Sequence, residues 1–79
     1  MTYTFTPSHL FNHSRNRLGI FITWYGAWFV HSNTSDLVEV SPMGSILGNK
    51  TLTASLSSGT YTFTLDEESW GGVRLIWLD

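Results

Sequence analysis

The feature that most constrains the fold is the segment LGIFITWYGAWFV at residues 18–30, which is apolar on both faces when it is read as β-structure. A two-residue turn is predicted at Tyr25 and Gly26, which would fold the segment into a hairpin with Trp24 opposite Ala27. Side chains alternate along a strand, so an ordinary half-buried hairpin is apolar on one face and polar on the other. A chain of 79 residues rarely covers both faces of a sheet. One face of this hairpin is therefore predicted to meet something outside the chain.

This predicted pairing divides the hairpin residues between two faces. The first face carries Ile20, Ile22, Trp24, Ala27, Phe29 and His31, and the second carries Phe21, Thr23, Trp28 and Val30. The last apolar segment, at residues 73–78, also has a second face that is only partly polar. A strand with one core face and one apolar reverse face is suited to packing against another subunit. The predicted interface residues are Phe21, Trp28, Val30 and Ile76.

Composition favours a small domain that relies on hydrophobic burial and hides part of its surface. The chain has no cysteine, 42% hydrophobic and 15% aromatic residues, and 13% charged residues. That charged share is about half of what soluble domains usually carry, and low surface charge favours self-association. Binding to nucleic acid needs positive charge that neutralises the phosphates, and the net charge of this chain is −2. Nucleic acid is therefore excluded as a partner.

The sequence predicts one all-β domain over residues 1–79. No window of ten or more residues sustains a helical period, and short β-rich segments alternate with turn residues. Strands are expected at residues 2–6, 18–24, 27–32, 37–40, 51–56, 60–65 and 73–78, which gives an antiparallel β-sandwich of about seven strands that is jelly-roll-like. The pentapeptide TYTFT occurs twice and places its aromatic residues on one face. The predicted core is Tyr3, Phe5, Leu52, Leu56, Tyr61, Phe63, Leu65, Val73 and Leu75.

Membrane and targeting signals are weak in this chain. The 13-residue apolar run is too short to span a bilayer as a helix, so no membrane span is expected. Residues 1–10 lack the basic start and apolar stretch of a signal peptide. The cellular location is not identified by the sequence, with an extracellular one slightly favoured.

Three short motifs lie between residues 34 and 65: an Asp-Leu pair at 36–37, a Ser-Pro-x-Gly turn at 41–44 and Leu-x-x-Gly-Thr-Tyr at 56–61. Together they resemble the pre-peptidase C-terminal type of β-sandwich, an accessory module of secreted bacterial hydrolases. The end of the chain, residues 71–78, is also similar to the ends of some carbohydrate-binding β-sandwiches. The resemblance implies a β-sandwich and a non-catalytic accessory function. Such modules often have the sequence Asp-Leu-Asp-Leu where this chain has Asp-Leu-Val-Glu, so the second acidic residue is displaced by one position. The resemblance therefore does not imply a calcium site in this chain.

Residues that could carry catalysis or bind metal are few. His9 and His13 lie in a polar loop region, and neither they nor His31 matches a recognisable ligand or catalytic spacing. The acidic residues 66–68 are predicted to be a solvated turn, with calcium binding as the alternative. No nucleophile elbow, phosphate loop or zinc spacing is present. The chain is therefore predicted to be no enzyme and to need no cofactor, with a hydrolase using His31 and the acidic loop as a remote alternative.

Aromatic residues are the strongest candidates for a binding site. Trp24, Tyr25 and Trp28 surround the predicted hairpin tip, and Trp70 precedes two glycines in a loop. Sugars stack their C–H faces on such rings, while neighbouring polar groups satisfy the hydroxyls. The predicted ligand-binding residues are Trp24, Tyr25, Trp28, Asp66, Glu68 and Trp70. In the alternative interpretation, Trp24, Trp28 and Trp77 belong to the core or to a subunit interface.

Two functions remain as alternatives. The first is a non-catalytic binding module for carbohydrate, which stacks sugar on the exposed aromatic residues. The second is a structural or interaction protein whose hairpin face forms a homo-oligomer or docks a protein partner. The two are compatible, since small lectin-like modules often gain affinity through multivalency.

Overall fold

Strands dominate the structure. The computed structural model describes residues 3–5, 16–33, 37–57 and 60–78. The strands are β1 (Tyr3–Phe5), β2 (Arg17–Thr23), β3 (Gly26–Ser32), β4 (Val38–Pro42), β5 (Leu52–Ser57), β6 (Thr60–Leu65) and β7 (Arg74–Trp77). One short 3-10 turn, Leu47–Asn49, lies between β4 and β5. The prediction of an all-β chain is confirmed over these ranges.

The strands form two antiparallel sheets. One sheet has the order β4-β3-β2-β7, and the other has the order β1-β6-β5. The two copies of TYTFT are neighbours in the second sheet, where β1 pairs with β6 and Thr4 lies opposite Thr64. Strand β7 follows the β5–β6 hairpin and returns to the first sheet beside β2.

The tight turn of the β2–β3 hairpin lies at Trp24 and Tyr25, with Thr23 opposite Gly26. The prediction of a turn at Tyr25 and Gly26 is therefore wrong by one residue. Gly26 opens β3 with a φ of +147°, which side chains rarely adopt, and a Cβ there would lie 2.8 Å from Cδ1 of Ile46. Glycine is needed beside the turn because of its backbone angle and because Ile46 packs against it.

The displaced turn changes the cross-strand partners but keeps the two faces. Ile20 lies opposite Phe29, and not opposite His31 as predicted. Moving a two-residue turn by one position shifts every partner by two residues. Side chains alternate with a period of two, so each residue of the two strands keeps the face that the sequence assigned to it, whereas Trp24 lies in the turn.

The core cluster contains residues of both sheets, and aromatic rings contribute much of it. Phe21 of β2 stacks on Phe63 of β6 with ring centroids 4.3 Å apart, and the edge of Trp70 meets Phe21 at 5.8 Å. Of the predicted core, the residues on β5 and β6 are confirmed as buried: Leu52, Leu56, Tyr61, Phe63 and Leu65. Val73 and Leu75 are partly buried against this core. The side chains of Tyr3 and Phe5 lie outside the described part of the structure.

The hairpin face that was predicted as an interface is the face turned inward. Phe21 and Val30 are fully buried and Trp28 is 2% exposed, so these three are core residues and the prediction is wrong for them. The physical reason is that the β5–β6 hairpin of the same chain covers this face, as the Phe21–Phe63 stack shows. Ile76 differs, because it is 36% exposed on the opposite face of the sheet.

A polar contact joins the two sheets inside this core. Ser32 Oγ lies 2.8 Å from the hydroxyl of Tyr61, and both residues are buried. Ser32→Ala is expected to lower the free energy of unfolding by about 1–3 kcal/mol, since a buried hydroxyl loses a hydrogen-bond partner. Urea denaturation followed by circular dichroism measures this loss.

The matched control for this substitution is Ser41→Ala, because Ser41 is exposed on the same sheet. We expect its unfolding midpoint to stay close to that of the parent. The Ser32→Ala/Tyr61→Phe double variant should lose less stability than the sum of the two single changes. Equal midpoints for Ser32→Ala and Ser41→Ala would show that the buried contact contributes nothing.

Candidate functional site at the hairpin tip

Three connections meet at one end of the molecule. The tip of the β2–β3 hairpin contacts the 66–73 connection, where Trp24 N donates to the Trp70 carbonyl at 2.7 Å. On its other side it contacts the β4–β5 connection, where Leu47 N donates to the Tyr25 carbonyl at 2.8 Å. We call this region the hairpin-tip site and define it by Trp24, Tyr25, Ser45, Ile46, Asn49, Lys50 and Glu67.

Trp24 presents its indole to solvent from an anchored backbone. The side chain is 72% exposed, although the residue's own N–H is bonded to Trp70. Gly71, with a φ of +72°, lies so close that a Cβ there would approach the Trp24 Cβ to 2.9 Å. The next turn residue is held too, because Tyr25 N donates to Thr23 Oγ1 at 3.1 Å. The ring is therefore exposed while its attachment to the fold is well determined.

Tyr25 is half-buried and connects the two loops that flank the tip. Its hydroxyl makes a long hydrogen bond of 3.4 Å to the Ser69 carbonyl. The ammonium of Lys50 lies 5.9 Å from the centroid of the Tyr25 ring, at the outer limit for a cation–π contact. Tyr25 thus packs against the core and has a cation beside its ring.

Lys50 and Glu67 form an ion pair across the site, with Lys50 Nζ 2.6 Å from Glu67 Oε2. This hydrogen bond raises the pKa of Lys50 above its ordinary value of 10.5 and lowers the pKa of Glu67 below its ordinary value of 4.5. Both groups are therefore charged throughout the range between those two values. Whatever stability the pair contributes is lost as the pH falls through the lowered pKa of Glu67 or rises through the raised pKa of Lys50.

A cleft of about 340 Å³ opens beside Tyr25, lined by Pro42, Gly44, Ser45, Ile46, Asn49 and Lys50. Its volume is at the low end of the range for small-ligand sites. The lining provides a hydroxyl from Ser45, an amide from Asn49 and an ammonium from Lys50, together with the apolar side chain of Ile46. Such a surface can donate and accept hydrogen bonds around a small polar ligand.

The predicted ligand-binding residues separate into two groups in the structure. Four belong to the hairpin tip or to the acidic turn that follows β6: Trp24, Tyr25, Asp66 and Glu68. Asp66 and Glu68 are exposed, next to the paired Glu67. These four side chains can meet a ligand at this end of the molecule.

Trp28 and Trp70 form the other group, and the prediction that they bind a ligand is wrong. Trp28 is 2% exposed and Trp70 is 1% exposed. The rings of Trp70 and Phe21 make an edge-to-face contact, and the backbone carbonyl of Trp70 accepts the hydrogen bond from Trp24 at the tip. The flanking polar residues and glycines are typical of an exposed loop, but the Trp70 side chain belongs to the buried core cluster.

The sequence prediction missed the contribution of the β4–β5 connection to the site. Ser45 follows the turn-type cluster Pro42-Met43-Gly44, Asn49 belongs to the cluster Gly48-Asn49, and Lys50 comes directly after it. These clusters mark an exposed loop, which is a weak signal for function. That this loop lies beside the hairpin tip depends on long-range packing, which local patterns do not encode.

The remaining candidates for chemistry lie apart from the site. His31 is exposed on β3 opposite Glu39, whereas His9 and His13 lie outside the described residues. In the described ranges, no three His, Cys, Asp or Glu side chains are grouped so that they could hold a metal ion. The same ranges contain no helix with the length and apolarity needed to cross a membrane.

Comparison of the chain with protein-family models, with curated proteins and with solved structures gives no match. The resemblance of residues 34–65 to the pre-peptidase C-terminal type of β-sandwich stays a prediction. The chemistry of the hairpin-tip site therefore rests on its own side chains.

Proposed function

We propose that this protein is a non-catalytic binding module that takes a carbohydrate at the hairpin-tip site. The observation that carries the proposal is the exposure of Trp24, which is 72%. Its backbone N–H is bonded to the Trp70 carbonyl, and Gly71 packs closely against it. A large ring held in water gains free energy when a ligand covers it. The C–H face of a sugar ring has the matching flat, weakly polar surface.

Polar groups beside Trp24 and Tyr25 support the same ligand class. Sugar hydroxyls need donors and acceptors at fixed positions, and the Lys50–Glu67 pair offers both. The Asn49 amide and the Ser45 hydroxyl line the neighbouring cleft. Glu67 neutralises the one lysine of the chain, and Asp66 and Glu68 add negative charge, so a neutral sugar fits better than a phosphorylated ligand.

The finer description of the fold is also part of this proposal. We infer that the two sheets form a small β-sandwich, which is supported by the contacts between β2 and β6 and between β7 and β6. β7 is the last strand in the chain but lies beside β2, on the side away from β3 and β4. In a Greek key the last strand lies beside the first in the same way, and this supports a jelly-roll-like connection. Loops at the end of a sandwich are a frequent place for binding residues.

Trp24→Ala is expected to weaken carbohydrate binding by about 10–100-fold, because it removes the stacking surface without touching the core. A glycan array identifies the ligand with the parent protein, and titration calorimetry with the best-binding oligosaccharide measures the change. Trp24→Phe should keep most of the affinity, since it keeps an aromatic face.

Leu37→Ala serves as the matched control, because Leu37 is an exposed apolar residue of the β3–β4 connection, at the opposite end of β3 from the hairpin tip. It should bind like the parent protein. Either no glycan binding by the parent protein at millimolar concentration or unchanged affinity in Trp24→Ala would overturn the proposal.

A further inference from the structure

The outward face of the four-stranded sheet is apolar, although it is turned away from the core. We define the outer face by the residues Leu18, Ile20, Ile22, Ala27, Phe29, Ile76 and Leu78. The exposed fractions of Leu18, Phe29, Ile76 and Leu78 lie between 36% and 54%. Among the described residues, the second sheet packs only on the opposite side, where Phe21 and Val30 are buried.

The strand register makes these residues one continuous patch. In the middle row Ile20 lies between Phe29 on β3 and Ile76 on β7. Leu78 N donates to the Leu18 carbonyl at 2.8 Å, which places these two residues side by side in the row above. In the row below, Ile22 pairs with Ala27. An apolar patch that spans the β3, β2 and β7 strands is a sign of an interaction surface.

The size of the whole sheet face, which includes the patch and the polar β4 edge, indicates a weak contact. Its four strands about 4.8 Å apart and three rows about 6.8 Å apart span a square of about 14 Å, which side chains enlarge to about 400–500 Å². A standard interface buries about 800 Å² on each partner. An interface below the standard size is typical of transient complexes, so we expect a dimer that dissociates on dilution.

Charges at two corners of the face decide which partner it fits. Glu39 lies opposite His31 at one corner, and Arg74 lies opposite Ile22 at the diagonally opposite corner. Both side chains are exposed on the outer face. A second copy can be placed on this face by a two-fold axis that lies in the plane of the face and is perpendicular to the diagonal. The Glu39 corner of each copy then lies on the Arg74 corner of the other copy. An isologous dimer thus matches opposite charges twice.

This axis lies at about 45° to the strands, given the strand and row spacings above. The strands of the two copies then cross at about 90°, which is one of the two ordinary packings of β-sheets. A foreign partner would have no reason to match the chain's own corner charges in this way. The face is complementary to itself.

We propose that the outer face is a homodimer interface, on which a second copy of this chain stacks with its strands crossed and with Glu39 against the partner subunit's Arg74. The sequence analysis placed the oligomer interface on the other face of the hairpin. Ile76 is the one residue that belongs both to that predicted interface and to the outer face. The interface consists mainly of strand residues, whereas the hairpin-tip site is built from the β2–β3 turn and the loops that flank it.

Sedimentation equilibrium of the full chain from about 5 µM to about 1 mM tests the proposal, with dimer formation expected in the middle of that range. Phe29→Arg should abolish the dimer, because it puts a charge in the centre of the apolar contact. Leu47→Arg is the control, since Leu47 is an exposed apolar residue outside the outer face. Trp24→Ala should dimerise like the parent, which distinguishes this interface from the carbohydrate site.

A charge-swap cycle tests the geometry without depending on the apolar residues. Glu39→Arg and Arg74→Glu each place like charges opposite one another and should weaken the dimer about tenfold. The Glu39→Arg/Arg74→Glu double variant restores opposite charges and should recover most of the affinity. If the parent protein is monomeric at 1 mM, the outer face is not a dimer interface. If the double variant loses as much dimer affinity as the two single variants together, the crossed arrangement is wrong. Circular dichroism and urea midpoints check that every variant is folded.

Discussion

Trp70→Ala is expected to lower the free energy of unfolding by about 3–5 kcal/mol, the usual cost of removing a buried tryptophan or phenylalanine. The indole is 1% exposed and meets the ring of Phe21 edge-on at 5.8 Å. A chain of 79 residues has about 4–12 kcal/mol of stability in total. The loss is therefore a large fraction of the total stability, and urea denaturation followed by near-ultraviolet circular dichroism should show a much lower unfolding midpoint.

The control for Trp70→Ala is the neighbouring tryptophan that the structure leaves in water. Trp24→Ala should change the free energy of unfolding by less than about 0.5 kcal/mol, as surface substitutions usually do. Trp70→Phe keeps part of the packing and should remain folded with an intermediate loss, so a measurable midpoint is available even if alanine unfolds the chain. Equal stability losses in the two alanine variants would contradict the assignment of Trp70 to the core and Trp24 to the surface.

The second large effect is expected at Gly19, where the fold leaves no space for a side chain. A Cβ at this position would lie 2.7 Å from Cε3 of Trp77 and 2.9 Å from the Ile76 carbonyl oxygen. Trp77 cannot move freely, because its ring lies 5.0 Å from that of Tyr61 and carries the Arg17 guanidinium at 4.2 Å. Gly19→Val is therefore expected to cost about 3 kcal/mol, the upper end of the usual range for overpacking.

Gly72→Ala is the matched control for Gly19→Val, because a Cβ at Gly72 meets no atom within 4 Å. It should unfold at nearly the same urea concentration as the parent. The intrinsic fluorescence should also respond differently, since only the change at Gly19 displaces Trp77. A Gly19→Val variant with parental stability and fluorescence would contradict the close packing of β2 against β7.

These predictions bear on the function as well as on stability. The aromatic residues divide between a buried set that holds the two sheets together and Trp24, which contributes to binding in our proposal. Substitutions in the buried set should reduce binding only through unfolding, whereas Trp24→Ala should reduce binding in a fully folded protein. Comparing affinity with unfolding midpoint for each variant separates the two effects.

Local patterns in the sequence were enough to predict much of the fold. The period of two in residues 18–32 assigned each side chain to its observed face even though the turn was placed one residue late. The second TYTFT segment was correctly predicted as a strand with Tyr61 and Phe63 buried. Strand character and alternation arise from backbone geometry and from neighbours along the chain, so a local pattern suffices for them.

What the sequence by itself determined is therefore the set of strands and the two faces of the β2–β3 hairpin. Only the tertiary structure decided which face is inside, because both are apolar and alternation cannot distinguish them. The face that carries Phe21 is inside because Phe63 of the other sheet stacks on Phe21. These two residues are 42 positions apart in the chain. The same long-range packing buries Trp70 and leaves Trp24 in solvent, since the free energy of burying a ring depends on the residues that surround it and not on its neighbours in the chain.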